Sequence, residues 1–341
     1  MQHEIRRAIP LLNELGGLTE PGFARTPLPV YRRKDIKASS LRIKEWDYYC
    51  IRSGRIALGL TVADNGYLGI DAISLVDLTE KWEISKNIVS PLTVGRFGLP
   101  ESPERGSVHR SRKKYSISFE NDGSGKRVLT ARMENFGPDG TIVAAIELFD
   151  EPAETGILCV PFERQEQFCF RQRINCMRAK GQVRYGSKLY ELDPSDSFAV
   201  LDWNRSVLPY RCAWTWVSAS GLLDGVPFGI NLGSGLGDTR AANDNMLFYN
   251  GKVHKLDRVQ FHSPHDGQDS GSPWSFSSDD GRLEMRFVPS VDRAFSLNLR
   301  LIRSELRQSF GLFSGKAVLD DGTELCFTDF PGCAQKVDNK W

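Results

Sequence analysis

The sequence predicts a mostly-β protein: two antiparallel β-barrels, or strongly curved sheets, packed together with few short helices. Three observations carry that expectation. Short runs alternate apolar and polar residues, turn-forming residues punctuate the runs, and a faint likeness recurs about 160 residues apart, near half the chain. The clearest run is Phe295 to Ile302. Phe295, Leu297, Leu299 and Leu301 share one face, and Ser296, Asn298 and Arg300 the other. Alternation of that kind suits a sheet with one buried face. Residues 55–63, 128–133, 142–148, 226–232 and 283–287 read as further strands.

The turns fall where hairpins need them. Asn250-Gly251 separates Met246–Tyr249 from Lys252–Lys255, and Asn-Gly supplies the positive φ angles of a tight hairpin. Gly137-Pro-Asp-Gly140 and Asp320-Asp-Gly322 serve in the same way. With 31 glycines and 17 prolines, the chain suits many short strands. A doubly wound α/β fold needs repeated long helical patterns, which this sequence lacks.

The internal likeness suggests duplication. Ile117-Ser-Phe-Glu-Asn-Asp-Gly123 resembles Trp274-Ser-Phe-Ser-Ser-Asp-Asp-Gly281, and Trp46-Asp-Tyr-Tyr and Trp214-Thr-Trp each introduce a strand. The expected division is 1–185 and 186–341, the first part with a short N-terminal extension. Ile5, Ile9, Leu12 and Leu15 could line one face of a short helix there, disturbed by Pro10.

Composition narrows the function. The chain has 341 residues, 40% hydrophobic and 26% charged, which is globular. Forty-four basic residues balance 43 acidic ones, so no overall field draws the protein to nucleic acid. A local basic run over 105–114 leaves transient contact with a membrane surface open; a solvated loop before Tyr115 is the plainer reading. Seven irregularly spaced cysteines without a C-x-x-C pair read as reduced, mostly buried thiols. The N-terminal stretch has no apolar core of signal-peptide length, and the expected location is cytoplasmic.

Several motifs resemble one family. Gly22-Phe-Ala-Arg-Thr-Pro-Leu, Lys44-Glu-Trp-Asp-Tyr-Tyr, Asp202-Trp-Asn-Arg-Ser-Val-Leu-Pro-Tyr210, Trp214-Thr-Trp-Val-Ser-Ala-Ser-Gly221, Asn245-Met-Leu-Phe-Tyr-Asn-Gly-Lys252 and the closing Trp341 are similar to domain-of-unknown-function family 2804. That family is remotely similar to the double-lipocalin group of AttH-like proteins, carotenoid hydratases and tocopherol cyclases. The resemblance implies two lipocalin-like, calycin-type barrels and a long apolar substrate inside or between them; it implies a fold more strongly than an activity. Ser206 stands where the resemblance puts glycine, and Gln335 where it puts glutamate, which leaves any role of that glutamate in question here.

The densest candidate site is 202–216. Trp214 and Trp216 share one strand face, and with Tyr210 they offer aromatic walls for an apolar ligand; Asp202 and Arg205 would fix or protonate its polar end. Asn231 and Asn245 add uncharged hydrogen-bonding groups. The same residues also suit a structural plug, with arginine stacked on tryptophan. Acid catalysis on an alkene needs a carboxyl held protonated in an apolar pocket. Asp202 and Asp47 are the candidates, as a facing pair between the halves, with Glu284 a weaker third; ordinary salt bridges are the alternative. Gly233-Ser-Gly-Leu-Gly-Asp238 lacks the spacing of a phosphate loop. His254, His262, His265 and Asp266 form a histidine cluster, but in loop-like sequence that suits solvent-facing side chains better than a metal. No cofactor is expected. The leading expectation is a binding protein for a lipophilic small molecule. The alternatives are a cofactor-free hydratase, cyclase or isomerase on such a substrate, and a structural or interaction protein with filled barrels.

Overall fold

The computed structural model describes residues 2–263, 271–299 and 302–341. Two antiparallel sheets account for most of it. The first runs from an edge at Trp82–Pro91 through Leu68–Asp77, Ile56–Asp64, Ile43–Arg52, Phe198–Val207, Phe168–Tyr185, Gly140–Phe149, Arg127–Gly137 and Tyr115–Asn121 to Gly106–Arg112. Three short strands, Gly22–Ala24, Gly156–Pro161 and Lys188–Leu192, join it beside the long Phe168–Tyr185 strand. The second runs Lys252–Lys255, Met246–Tyr249, Val226–Ser234, Arg211–Leu223, Glu324–Lys340, Ile302–Val318, Leu283–Leu299, Trp274–Ser278, Val259–His262.

Both sheets follow one plan. Neighbouring strands are mostly consecutive in sequence, and the first strand of each set pairs with its last: Ile43–Arg52 with Phe198–Val207, and Arg211–Leu223 with Glu324–Lys340. Each sheet is therefore a curled meander, opened where two consecutive strands do not pair. The Trp46 and Trp214 strands hold the same place in their sheets, and so do the hairpins that begin at Tyr115 and Trp274. Two lipocalin-like half-barrels describe the architecture.

Alternation explains the layers. Leu58, Leu60, Val62, Ile73, Leu75, Phe119 and Leu129 fill the inside of the first sheet. Phe228, Ile230, Phe276, Phe287 and Phe313 fill the inside of the second. A third apolar layer joins the outer faces, with Tyr48, Cys50 and Val200 against Trp216, Val291, Phe310 and Cys333. Strands at this seam are buried on both faces, so all ten residues of Phe198–Val207 are buried.

Helices are few and short, as expected: among the described residues there are two 3-10 turns, Arg33–Asp35 and Ser40–Arg42. Three features depart from the sequence expectations. The N-terminal stripe is extended rather than helical. Ile9–Pro10 pairs in parallel with Pro29–Val30, consistent with a proline that lacks the N–H a helix interior needs. The basic run forms the edge strand Gly106–Arg112. The boundary expected at 185/186 falls inside the first sheet, because Lys188–Leu192 and Phe198–Val207 both pair with Phe168–Tyr185. The chain passes to the second sheet between Val207 and Arg211. All seven cysteines are free, and only Cys326 is exposed. Among the described residues, no helix is long and apolar enough to cross a membrane.

The opened edge of the first sheet is closed by side chains. Arg110 donates from Nε to Asp71 Oδ1 at 3.1 Å and from Nη2 to Oδ2 at 3.2 Å, and the Tyr115 hydroxyl donates to Oδ2 at 2.6 Å. Asp71 is fully buried. Removing one member of a buried pair strands its partner, which costs about 3–5 kcal/mol. Asp71→Ala should accordingly lower unfolding stability by about 3 kcal/mol in urea titration, whereas Glu324→Ala, which breaks an exposed pair with Lys316, should cost less than about 1 kcal/mol. Equal effects would contradict this account of the closed edge.

Candidate functional site

Strand alternation decides which residues reach the seam. In Ile43–Arg52, Trp46, Tyr48 and Cys50 point outward to the second sheet, while Glu45, Asp47 and Tyr49 point inward. The neighbouring register places Asp202 beside Tyr48 and Trp203 beside Asp47. Asp202 therefore faces the seam and Asp47 the inside of the first sheet. The expected facing pair is not formed.

A cleft of about 130 Å³ opens in the seam. The first sheet lines it with Trp46, Tyr48, Thr61, Ala63, Asn65 and Asp202. The second lines it with Trp214, Arg293, Ser304, Leu306, Gln335, Val337, Asn339 and Trp341. Trp46 and Trp214 lie nearly parallel across it, ring centroids 6.2 Å apart and planes 5° from one another.

Asp202 is held from behind. It forms an ion pair with Arg173, and its Oδ2 accepts from the Trp46 indole N–H at 3.1 Å. Arg173 is fully buried and also lies 3.6 Å from Asp244, which belongs to the second half of the chain; Arg171 lies 3.7 Å from the same carboxylate. The Arg173 guanidinium sits 4.5 Å over the Trp216 ring. Trp216 in turn donates to Asn231 Oδ1 at 2.8 Å, and Asn231 donates to the Asp244 carbonyl at 2.6 Å.

The other expected site residues lie elsewhere. Arg205 is three residues from Asp202 on a strand, hence on the opposite face. There it pairs with Asp47 at 2.8 Å, donates to the Pro100 carbonyl and stacks at 4.3 Å on Trp203. Burial raises the Asp47 carboxyl above its ordinary range against the pull of Arg205, but it does not line the cleft. Trp216 is buried beneath Arg173 rather than exposed to the cleft. Asn231 and Asn245 are structural ties; Asn245 Oδ1 accepts from the Gly233 N–H at 3.0 Å. Tyr210 lies in the link between the sheets and lines a separate depression with Arg42 and Phe162. Glu284 is exposed. In the glycine loop, Gly235 and Gly237 adopt positive φ as turn residues. His254 accepts from the Asp320 N–H. His265 and Asp266 lie outside the described residues. Among those described, no group of three or more His, Cys, Asp or Glu is placed to hold a metal.

Arg173, Asp244 and Arg293 were not foreseen. Arg171 and Arg173 alternate along a strand and so resemble a solvent-facing stripe; only the long-range register buries them. Lys44 was also missed as a site feature. It stands behind the Trp341 wall, donating to the Leu41 and Asn65 carbonyls and lying 4.4 Å from the Tyr67 ring and 5.2 Å from the Trp341 ring.

The family model described as Domain of unknown function (DUF2804) matches residues 2–341. The chain belongs to that family. No curated protein matches the sequence. Three solved structures share the fold of this DUF2804 member over nearly its whole length. Kievitone hydratase from Nectria haematococca has 12% identity and a TM-score of 0.53, covering 92% of this chain and 93% of its own. CghA with Sch210972 has 12% identity and a TM-score of 0.55, covering 96% and 97%. An AttH protein from Nitrosomonas europaea has 14% identity and a TM-score of 0.50, covering 92% and 98%. At these identities the likeness concerns the fold.

The buried amine gives a pH signature. Burial, helped by Arg42, holds Lys44 down to about 7, and burial does the same to Lys255. Between that value and the lysine range of the unfolded chain, near 10, the unfolded state binds more protons, so stability rises with pH. Each lysine contributes at most about 1.4 kcal/mol per pH unit. Buried thiols raised above their ordinary range, Cys159, Cys169, Cys176 and Cys212, oppose the trend from about pH 8.5, and buried tyrosines such as Tyr67 do so above about pH 10. Urea midpoints should therefore increase from pH 7 to about pH 8, and Lys44→Met should flatten the increase. An unchanged slope in that variant would contradict the assignment.

Proposed function

We propose that this protein binds a lipophilic small molecule in the cleft between its two sheets. The observation that carries the reading is the cleft's lining: parallel indoles of Trp46 and Trp214 with Leu306, Val337 and Trp341, and a few polar groups among them. Concave, mostly apolar surfaces with few oriented polar groups are the usual form of small-molecule sites. Size sets the scale. A cavity of about 150 Å³ admits benzene. The 130 Å³ here suits a ring or the end of a chain. The fold shared with kievitone hydratase and with CghA, whose structure holds Sch210972, agrees with a small-molecule role.

A second reading is catalysis by a cofactor-free hydratase, cyclase or isomerase, with Asp202 as the acid on the wall. Its surroundings favour binding over catalysis. Both contacts of Asp202 are donors, the Trp46 N–H and Arg173, whereas a carboxyl that protonates an alkene works best in an apolar, uncompensated setting. Gln335, where the family likeness places glutamate, lines the cleft as an amide.

Mass spectrometry of lipophilic material extracted from the native protein tests both readings. Wild type should carry a compound that Ala63→Phe, which fills the cleft, reduces at least tenfold, while Asp202→Asn retains it within a few-fold. Recovery of nothing above background, or equal recovery from Ala63→Phe, rejects the cleft. Conversion of the compound by wild type but not by Asp202→Asn moves the assignment to catalysis.

A further inference from the structure

We propose that the ligand of the cleft carries an anionic oxygen, a carboxylate or an enolate, and that Arg293 is its anchor. The proposal rests on the cleft-binding reading above and adds the chemistry of the ligand's polar end. Arg293 comes from the Leu283–Leu299 strand and reaches across the seam to the first sheet. Its Nη1 donates to Ser74 Oγ at 2.5 Å, and its guanidinium lies 6.0 Å from the centre of the Tyr48 ring. It is only 8% exposed and lines the cleft, yet among the described residues no carboxylate lies within 4.0 Å of it. Its buried Nε has no hydrogen-bond partner among them.

The buried arginines Arg171, Arg173 and Arg205 and the half-buried Arg110 each have an acidic partner. Arg171 has Asp244, Arg173 has Asp202 and Asp244, Arg205 has Asp47, and Arg110 has Asp71. Among the described residues of the lining Asp202 is the one with a carboxylate side chain, and Arg173 already holds it. Gln335 and Asn339 contribute amides. Ionisable protons in the same layer belong to Tyr48, Cys50 and Cys333. Burial lifts Tyr48 well above its range, a hydrogen bond with Cys50 together with burial lifts Cys333, and the same thiol–thiol bond holds Cys50 down. A buried guanidinium without a countercharge is costly, and an anionic ligand compensates it by charge-assisted hydrogen bonds.

The first sheet also makes room for this group. A Cβ on Gly59 would stand 2.9 Å from Arg293 Nη1 and 2.8 Å from Ser74 Oγ. Any larger residue there would have to shift the guanidinium. Gly59 thus leaves the space that the guanidinium occupies beside Ser74.

The test compares 3-phenylpropionate with its neutral amide, 3-phenylpropanamide, by calorimetry and tryptophan fluorescence at pH 7.5. Both present one ring of the size that the cleft admits, and they differ in charge. Wild type should bind the acid at least tenfold more tightly. Arg293→Met should bring the acid to the level of the amide, and Arg293→Lys should keep part of the preference. Gly59→Ala, which keeps the charge but moves it, should reduce the preference several-fold; melting curves verify that each variant is folded. Ala63→Phe should abolish binding of both. Acid and amide bound equally by wild type, and both lost in Ala63→Phe, would overturn the anion anchor while leaving the cleft reading intact. Binding of neither at millimolar concentration, or binding that Ala63→Phe does not affect, would overturn both.

Discussion

The Arg173 guanidinium is the constraint on which the seam depends. It is fully buried beside Arg171, and the two charges are balanced only when two parts of the chain meet: Asp202 from the first sheet and Asp244 from the loop before Met246–Tyr249. The effective penalty for a buried ion is several kcal/mol unless partners are held in place. The second half supplies both a partner and a lid, because Trp216 covers the guanidinium face and is itself fixed through Asn231 to the Asp244 segment. Separating the halves would strand these groups, so the sheets have reason to stay in one relative placement. From there the geometry propagates outward. Arg173 sets Asp202, Asp202 sets the Trp46 indole, and Trp46 lies against Trp214 to make the cleft wall.

Strand parity then separates two chemistries that share one sheet. Residues 45, 47, 203 and 205 point into the first sheet, and residues 46, 48, 202 and 204 point to the seam. The inner set holds Asp47 with Arg205 and Glu45 with Tyr31 and Arg33, a self-contained ionic core in which burial raises both carboxyls. The outer set presents the aromatic faces and a single carboxylate. The carboxyl that burial pushes upward, the property expected of an acid catalyst, is thus on the wrong side of the sheet for the cleft. The carboxylate on the cleft wall is committed to an arginine.

Much of the architecture was legible locally. Asn250 and Gly251 have the positive φ angles that their hairpin requires, and Gly140 and Gly322 do the same at their turns. Trp214 and Asp202 line one and the same cleft. What was not legible depends on register between distant strands. Asp202 and Arg205 look like a pair in sequence and point apart on a strand. Asp47 and Asp202 introduce comparable motifs, and the 43–52 to 198–207 register puts them on opposite faces. Arg171 and Arg173 have the period of a solvated stripe. The boundary was misplaced for the same reason: Phe198–Val207 is far in sequence from Ile43–Arg52 but pairs with it to complete the first meander.

Charge neutrality in this chain is local as well as global. The whole sequence carries a formal charge of only +1, and the buried guanidiniums of Arg171, Arg173 and Arg205 are each held by carboxylates. Against that background an unmatched cation on the cleft wall is informative. Elsewhere the fold places a carboxylate opposite each buried guanidinium named here. At Arg293 it places a serine hydroxyl, a tyrosine ring and a glycine, which make room for the cation without neutralising it. An arrangement that tolerates such a cost in a two-faced, tightly buried layer is better explained by a charge that arrives from outside than by packing alone, because packing would be served equally well by an apolar side chain. The aromatic walls then select the body of the ligand, and the unmatched guanidinium selects its end.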